Sequence, residues 1–210
     1  MDVGIPFFVL QVGRTTDFIT YISSMAVHFL KMATLSNVCS MGKLNKGLNL
    51  SKIAIIFEKS KINTSKFHSL ILKKFHKTAT LLVYESGNVV SVGAKTVEDS
   101  KDSIEAFVNH LNSHKYPHEL IEFKITNMVG SSMLGYKIRL DSLYEANREN
   151  TYWEPELFPG LQYRFQHLGV TVNVFASGKL YVTGAKSWCQ IEEAVKRLKR
   201  IALRHKCKFQ

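Results

Sequence analysis

At 210 residues and 45% hydrophobic content, the chain is long enough to bury one good-sized core, or two half-cores that share a sheet. Lys and Arg outnumber Asp and Glu by 28 to 17, a net charge of +11 that favours a polyanionic partner, nucleic acid or an acidic membrane surface, and says nothing about fold. Three widely spaced cysteines, Cys39, Cys189 and Cys207, form no metal motif and point to a reducing compartment, and no apolar run reaches the ~18 residues of a membrane-spanning helix.

Residues 1–34 read as an appendage with no assigned role. The apolar run 5–12 is short and holds Pro6, and 18–32 has the pattern of an amphipathic helix. Asp2 at the start, with Arg14 and Asp17 breaking the apolar run, argues against a signal peptide. Residues 37–41 then read as a strand. Over 48–59, Leu50, Ile53, Ile56 and Phe57 recur at helical spacing, with Asn49 or Ser51 as the cap. Consecutive antiparallel strands are expected over 67–75, 78–84 and 88–93. A helix over 97–113 follows, burying Ile104, Phe107, Val108 and Leu111.

A second unit begins near Ile121. Its loop Trp153-Glu154-Pro155-Glu156-Leu157-Phe158-Pro159-Gly160 holds two prolines four apart, and each fixes φ and removes an N–H donor. The segment is therefore a stiff loop that holds Phe158 in a fixed direction. A strand over 161–165 follows, and then a strict alternation: Val170, Val172 and Val174 on one face, Thr171, Asn173 and Phe175 on the other. The turn at Ser177-Gly178-Lys179 reverses the chain into 180–184, which alternates again. The last helix, 187–205, carries Ile191, Val195, Leu198 and Ile201 or Ala202 as one stripe. Lys196, Arg197, Lys199, Arg200, Arg204, His205 and Lys206 crowd its C-terminal half, where positive charge suits the helix dipole.

The two units are copies. Val83-Tyr84-Glu85-Ser86-Gly87 and Val92-Gly93-Ala94-Lys95 match Val174-Phe175-Ala176-Ser177-Gly178 and Thr183-Gly184-Ala185-Lys186 at a constant step of 91 residues. Phe67 precedes Tyr84 by 17 positions, as Phe158 precedes Phe175. Two copies make a pseudo-symmetric tandem domain, whereas a solenoid needs three or more. Helices cover one face of the resulting sheet, that of Val170, Val172, Val174, Leu180 and Val182. The opposite face, with Asn37, Cys39, Val90, Val92, Asn127, Val129 and Thr183, is too apolar for an ordinary wet surface and implies a partner.

The run Asn127-Met128-Val129-Gly130-Ser131, the loop from Tyr152 to Leu161 and Val182-Thr183-Gly184-Ala185-Lys186 closely resemble the core domain of the TATA-box-binding protein family. The resemblance covers roughly residues 35–206, and its motifs are more specific in the second repeat than in the first. It implies an α+β fold: a saddle-shaped tandem repeat, 35–120 and 121–210, with one long curved antiparallel sheet and helices on its convex face. It also implies a nuclear, non-enzymatic general transcription initiation factor that needs no cofactor. Such a factor binds and bends promoter DNA through an A·T-rich minor groove and nucleates the preinitiation complex.

Residue by residue, the resemblance makes Phe67, Tyr84, Phe158 and Phe175 wedges that unstack a base step at each end of the site. It sets Asn37 and Asn127 at the pseudo-dyad, donating to base acceptors, with Val90, Val92, Val129, Thr171, Asn173, Tyr181 and Thr183 against the groove. The kinking mechanism comes with the resemblance and is not read from spacing. Lys66, Lys73, Lys95, Arg164, Lys179 and Lys186 are the phosphate candidates. Glu154, Glu156 and Leu157 match the docking loop for transcription factor IIB, and factors associated with the family are implied as further partners. Lys59, Lys61 and Phe75 stand where the family has asparagine, glutamate and arginine, which speaks against factor IIA binding.

Departures on the groove face bear on specificity. Asn173 and Tyr181 replace leucine and valine, Thr171 a valine, and Met41 and Val92 threonines. The expectation is A·T-rich binding with G·C pairs tolerated under Asn173, because a carboxamide can pair with the guanine amine. Two rival classes remain. His110, His114 and His118 are four apart, but Pro117 ends the helix between them and no Asp or Cys completes a metal set; no acid–base pair, phosphate loop or nucleophile elbow supports an enzyme. The alternative to DNA binding is a scaffold that keeps the saddle for protein contacts alone.

Overall fold

Buried side chains alternate with more exposed ones along strands such as 79–83 and 170–174, and that period puts one side of each strand into a core. The computed structural model describes residues 33–57, 60–63 and 68–207, all within the unit Ala33–Gln210. The helix expected over 18–32, together with Lys59, Lys66 and Phe67, lies outside the described residues.

The first repeat supplies strands β1 (Thr34–Leu44), β2 (Lys61–Asn63), β3 (Ser69–His76), β4 (Ala79–Val83) and β5 (Asn88–Ala94). The second supplies β6 (Leu120–Met133), β7 (Thr151–Tyr152), β8 (Leu161–Phe165), β9 (Val170–Val174) and β10 (Lys179–Ala185). All ten join one open antiparallel sheet in the order β2-β3-β4-β5-β1-β6-β10-β9-β8-β7. The order reads alike from either end, with β1 and β6 paired at the centre from Thr34↔Ser131 to Leu44↔Leu120.

Helices α1 (Leu50–Ile56) and α2 (Val97–Ser113) back the first half, and α3 (Leu140–Ala146) and α4 (Trp188–Ala202) the second. In the first half Leu70, Leu81, Val83 and Val89 pack with Ile53, Ile104, Phe107 and Leu111. In the second, Val170, Val172, Val174, Leu180 and Val182, each no more than 2% exposed, pack with Ile191, Val195, Leu198 and Ala202. The expected inward face is therefore the buried one. Burying a side chain of this size contributes roughly 1.5–3 kcal/mol.

Caps explain where the helices begin. The Thr96 hydroxyl accepts from the Asp99 N–H at 2.9 Å, and Asn49 Oδ1 accepts from the Lys52 N–H at 3.0 Å. Ser187 and Gln190 form a capping box on α4, and Gln190 Nε2 also donates to the Leu168 carbonyl, tying the helix start to the sheet end. Helix α2 matches its expected span. Helix α1 is shorter than the 48–59 pattern, because Phe57 leaves helical geometry and turns inward to stack on Phe107, ring centroids 5.3 Å apart. Strands β2 and β7 and helix α3 were not expected; each is too short, at three, two and seven residues, to show a period.

The halves differ inside. In the first, buried serines bridge sheet and helix, Ser40 with Ser100 at 2.7 Å and Ser91 with Ser103 at 2.9 Å. In the second, Gly130 stands where Ser40 does and Ile191 where Ser100 does. A Cβ on Gly130 would come within 2.4 Å of Ile191 Cγ2, so the isoleucine fills the space that the serine pair fills in the other half.

At the end of the chain His205 is buried, its Nδ1 sharing a 2.9 Å hydrogen bond with Ser142 Oγ. Burial first, then the Arg139 and Arg204 charges, hold the imidazole below its ordinary range. Below pH ~6.5 the unfolded chain therefore takes up a proton that the folded chain refuses, and stability falls with pH from there. His205→Gln should flatten the fall in melting temperature between pH 7 and 5. An unchanged slope would show that His205 contributes nothing to it.

Candidate nucleic-acid interface

Each repeat ends its fourth and fifth strands on the same turn. In the first, the Tyr84 carbonyl accepts from the Gly87 N–H at 3.0 Å and the Tyr84 N–H donates to the Asn88 carbonyl at 2.9 Å. In the second, Phe175, Gly178 and Lys179 repeat this at 2.8 and 3.0 Å. Gly87 and Gly178 sit at φ +83° and +85°, the left-handed geometry that this three-residue hairpin requires. Tyr84 and Phe175 are thereby fixed at the tips, both half-buried.

Phe158 comes to Phe175 from the proline loop. Its N–H donates to the Glu154 carbonyl at 3.0 Å, so the loop closes as one tight turn beneath it. The rings meet edge to face, centroids 5.7 Å apart, and Phe158 is 40% exposed. Gly160 makes this nesting possible, since a Cβ there would come within 2.6 Å of the Phe158 ring. Tyr181 joins the group, 6.0 Å from Phe175 and edge-on, with Lys179 Nζ over its own ring at 5.0 Å. Three aromatics therefore stand together at this end of the sheet.

At the centre lie two matching clamps. Asn37 Oδ1 accepts from the Gly93 N–H at 3.0 Å, and Asn127 Oδ1 accepts from the Gly184 N–H at 2.9 Å. Both glycines are at positive φ, +89° and +87°, in bulges that shift the register beside β1 and β6. Each oxygen is thereby turned toward the sheet backbone, which orients the carboxamide N–H groups as the donors available on this face. Asn37 Nδ2 lies 3.4 Å from Cys39 Sγ. Cross-strand register puts Asn37 opposite Val129 and Cys39 opposite Asn127, so the four share one patch on the helix-free face.

Outward from it, Val90, Val92, Thr171, Asn173, Tyr181 and Thr183 are all half-buried on that face, as alternation predicts. The Thr183 hydroxyl donates to the Thr171 carbonyl at 3.3 Å. Lys73, Lys95, Arg164, Lys179 and Lys186 are exposed, and Lys95 Nζ donates to the Ser36 carbonyl at 3.0 Å. Glu154, Glu156 and Leu157 project from the proline loop, Leu157 at 79% exposure, and the neighbouring Glu154 carboxylate holds the Tyr152 hydroxyl above its ordinary pKa. Of the residues at the other edge, Lys61 is exposed on β2, whereas the Phe75 ring packs edge-on against Phe57 at 5.4 Å. The sequence assigns no role to Gln162, and to Gly160 only a place at the end of the proline loop. Leu161, Tyr163 and Phe165 are buried, so period-two reading alone would have turned Gln162 onto the helix-free face.

The chain matches the family model "Transcription factor TFIID (or TATA-binding protein, TBP)" over residues 32–114 and 122–204. It is 36% identical over 160 residues to the TATA-box-binding protein of Spodoptera frugiperda and 35% identical over 160 residues to TATA box-binding protein-like 2 of Homo sapiens. Each alignment covers 76% of this chain, and 52% and 47% of those proteins respectively. The chain thus spans about half the length of the curated relatives it matches. Among solved structures, Methanococcus jannaschii TBP is similar with a TM-score of 0.74 and 31% identity, covering 82% of this chain and 98% of that one. With both repeats matched, the same open sheet and the saddle fold in common, the chain belongs to the TATA-binding protein family.

Proposed function

We propose that this protein is a nuclear general transcription factor that binds promoter DNA in the minor groove, bends it and nucleates assembly of the transcription machinery. The observation that supports this best is the helix-free face itself: apolar side chains around two asparagines whose oxygens are held by glycine N–H groups, leaving their own N–H groups as donors, ending in the Phe158–Phe175 pair. A·T pairs present only acceptors in the minor groove, which matches those donors. Wedges at the sheet ends would cost a few kcal/mol per unstacked step, offset by contact along the bent duplex. The exposed Lys73, Lys95, Arg164, Lys179 and Lys186 would add a salt-dependent phosphate term, with Lys66 proposed for a phosphate role from the family resemblance and Phe67 for a wedge role as the repeat counterpart of Phe158. A gel shift on A·T-rich duplexes with and without Phe158→Ala separates this reading from a scaffold that acts through protein contacts alone; the scaffold predicts no shift with either protein.

The exposed loop of Glu154, Glu156 and Leu157 is the proposed dock for factor IIB or a relative, with other family-associated factors as further partners. Charge reversal at Glu154 and Glu156 together should weaken factor IIB binding by roughly tenfold or more while DNA affinity changes less than about twofold, because close complementary charges at interfaces carry on the order of 1.5 kcal/mol or more. Pull-down and DNA titration of the same variant decide it. Factor IIA should bind poorly: Lys61 carries positive charge on the edge strand, and the half-buried Phe75, packed against Phe57, offers no charge there. Tight factor IIA binding by the unaltered protein would overturn that.

A further inference from the structure

The two halves of the helix-free face are geometrically equivalent and chemically unlike. Register aligns Ile71, Leu82, Val90 and Met41 in a row across β3, β4, β5 and β1. The matching row across β8, β9, β10 and β6 is Gln162, Asn173, Tyr181 and Ser131. All eight are half-buried. One row is wholly apolar, and in the other every side chain carries a hydrogen-bonding group, the Tyr181 hydroxyl included.

The two carboxamides in the polar row differ from those at the centre. The oxygens of Asn37 and Asn127 are taken by glycine N–H groups, whereas Gln162 and Asn173, directly opposite each other, have no hydrogen-bond partner among the described residues. Each keeps both a donor and an acceptor. Against A·T pairs, which offer acceptors only, each carboxamide oxygen would be desolvated with nothing to pair it. A G·C pair places the guanine amine beside base acceptors, so a carboxamide can accept from one and donate to the other. Beneath Ile71, Leu82, Val90 and Met41 the same amine would be buried unpaired.

Resting on the minor-groove reading above, we infer that the second repeat requires guanine in its half-site, read by Asn173 and Gln162, while the first repeat excludes it. The target is then a composite site, A·T-rich in one half and G·C-containing in the other. Because the fold is nearly two-fold symmetric, this difference also fixes the direction in which the protein sits on DNA.

The test replaces guanine by hypoxanthine, which lacks the amine and makes the minor groove of a G·C pair look like that of A·T. Affinities are measured for duplexes carrying G·C or hypoxanthine·C in neither, one or both halves. The unaltered protein should bind the duplex with guanine in one half about fivefold or more tighter than its hypoxanthine counterpart, the scale of one net hydrogen bond. Guanine in both halves should bind worse than guanine in one. Gln162→Ile with Asn173→Leu should reverse the preference to hypoxanthine, and Ile71→Gln with Leu82→Asn should make guanine in both halves the best site. Binding that favours hypoxanthine everywhere, or that is indifferent, overturns the inference and leaves minor-groove binding standing. Failure to bind any duplex overturns both.

Discussion

Phe158→Ala combined with Phe175→Ala is expected to abolish DNA bending and to weaken binding by roughly 100-fold or more. Stacking of a base on an aromatic side chain is worth about 1–3 kcal/mol, and the pair removes two such contacts. The rings brace each other at 5.7 Å, so each single variant should also lose some of its neighbour's effect, and the two losses should not add. Fold stability should change little by comparison, since Phe158 is 40% exposed already. Tyr84→Ala should cost less: Tyr84 has no ring contact among the described residues, whereas Phe175 is packed against Phe158 and Tyr181. Fluorescence transfer between the duplex ends reports the bend. A bend that survives the double substitution would remove these residues from the mechanism.

The largest loss of stability from a single added methyl is expected at Gly178. Its φ of +85° costs an alanine about 1–2 kcal/mol, and a Cβ there would stand 2.2 Å from the Tyr136 carbonyl oxygen, which is backbone and cannot swing aside. Relief means moving the turn away from the segment before α3, where the Leu134 N–H donates to the Gly178 carbonyl at 2.8 Å and the Ile138 N–H to the Ala176 carbonyl at 3.0 Å. At about 1 kcal/mol for each bond lost, Gly178→Ala should cost roughly 3 kcal/mol or more. Gly135 is the control. It has a similar φ, +82°, with open space around the missing Cβ, so Gly135→Ala should carry only the conformational cost. Urea unfolding compares them, and equal losses would refute the steric argument. Because Phe175 opens that turn, Gly178→Ala should also blunt DNA bending beyond what its stability loss explains.

The strand and helix pattern was legible where period and length made it so. The runs 170–175 and 97–113 behave as their spacing requires, because each places a complete apolar face against one partner. The internal repeat was legible too, since a constant step of 91 residues needs no structure to be seen. Short elements were not: β2, β7 and α3 exist because neighbouring strands and core residues hold them, and their own few residues carry no periodic signal. Phe75 shows the same limit at a single position. Its ring would fit a surface or a core in sequence, and only its edge-on contact with Phe57 at 5.4 Å decides.

By itself, the sequence determined the tandem sheet, the inward valines, the aromatic turns and the family resemblance, because each depends on local period or on an exact repeat of residue types. Only the tertiary structure decided how side chains far apart in the chain combine. Asn37 and Gly93, 56 residues apart, and Asn127 and Gly184, 57 apart, become clamps only when the bulged strands lie side by side. Gln162, Asn173, Tyr181 and Ser131 become one polar row only through cross-strand register, and a one-residue slip would send each of them into the core instead.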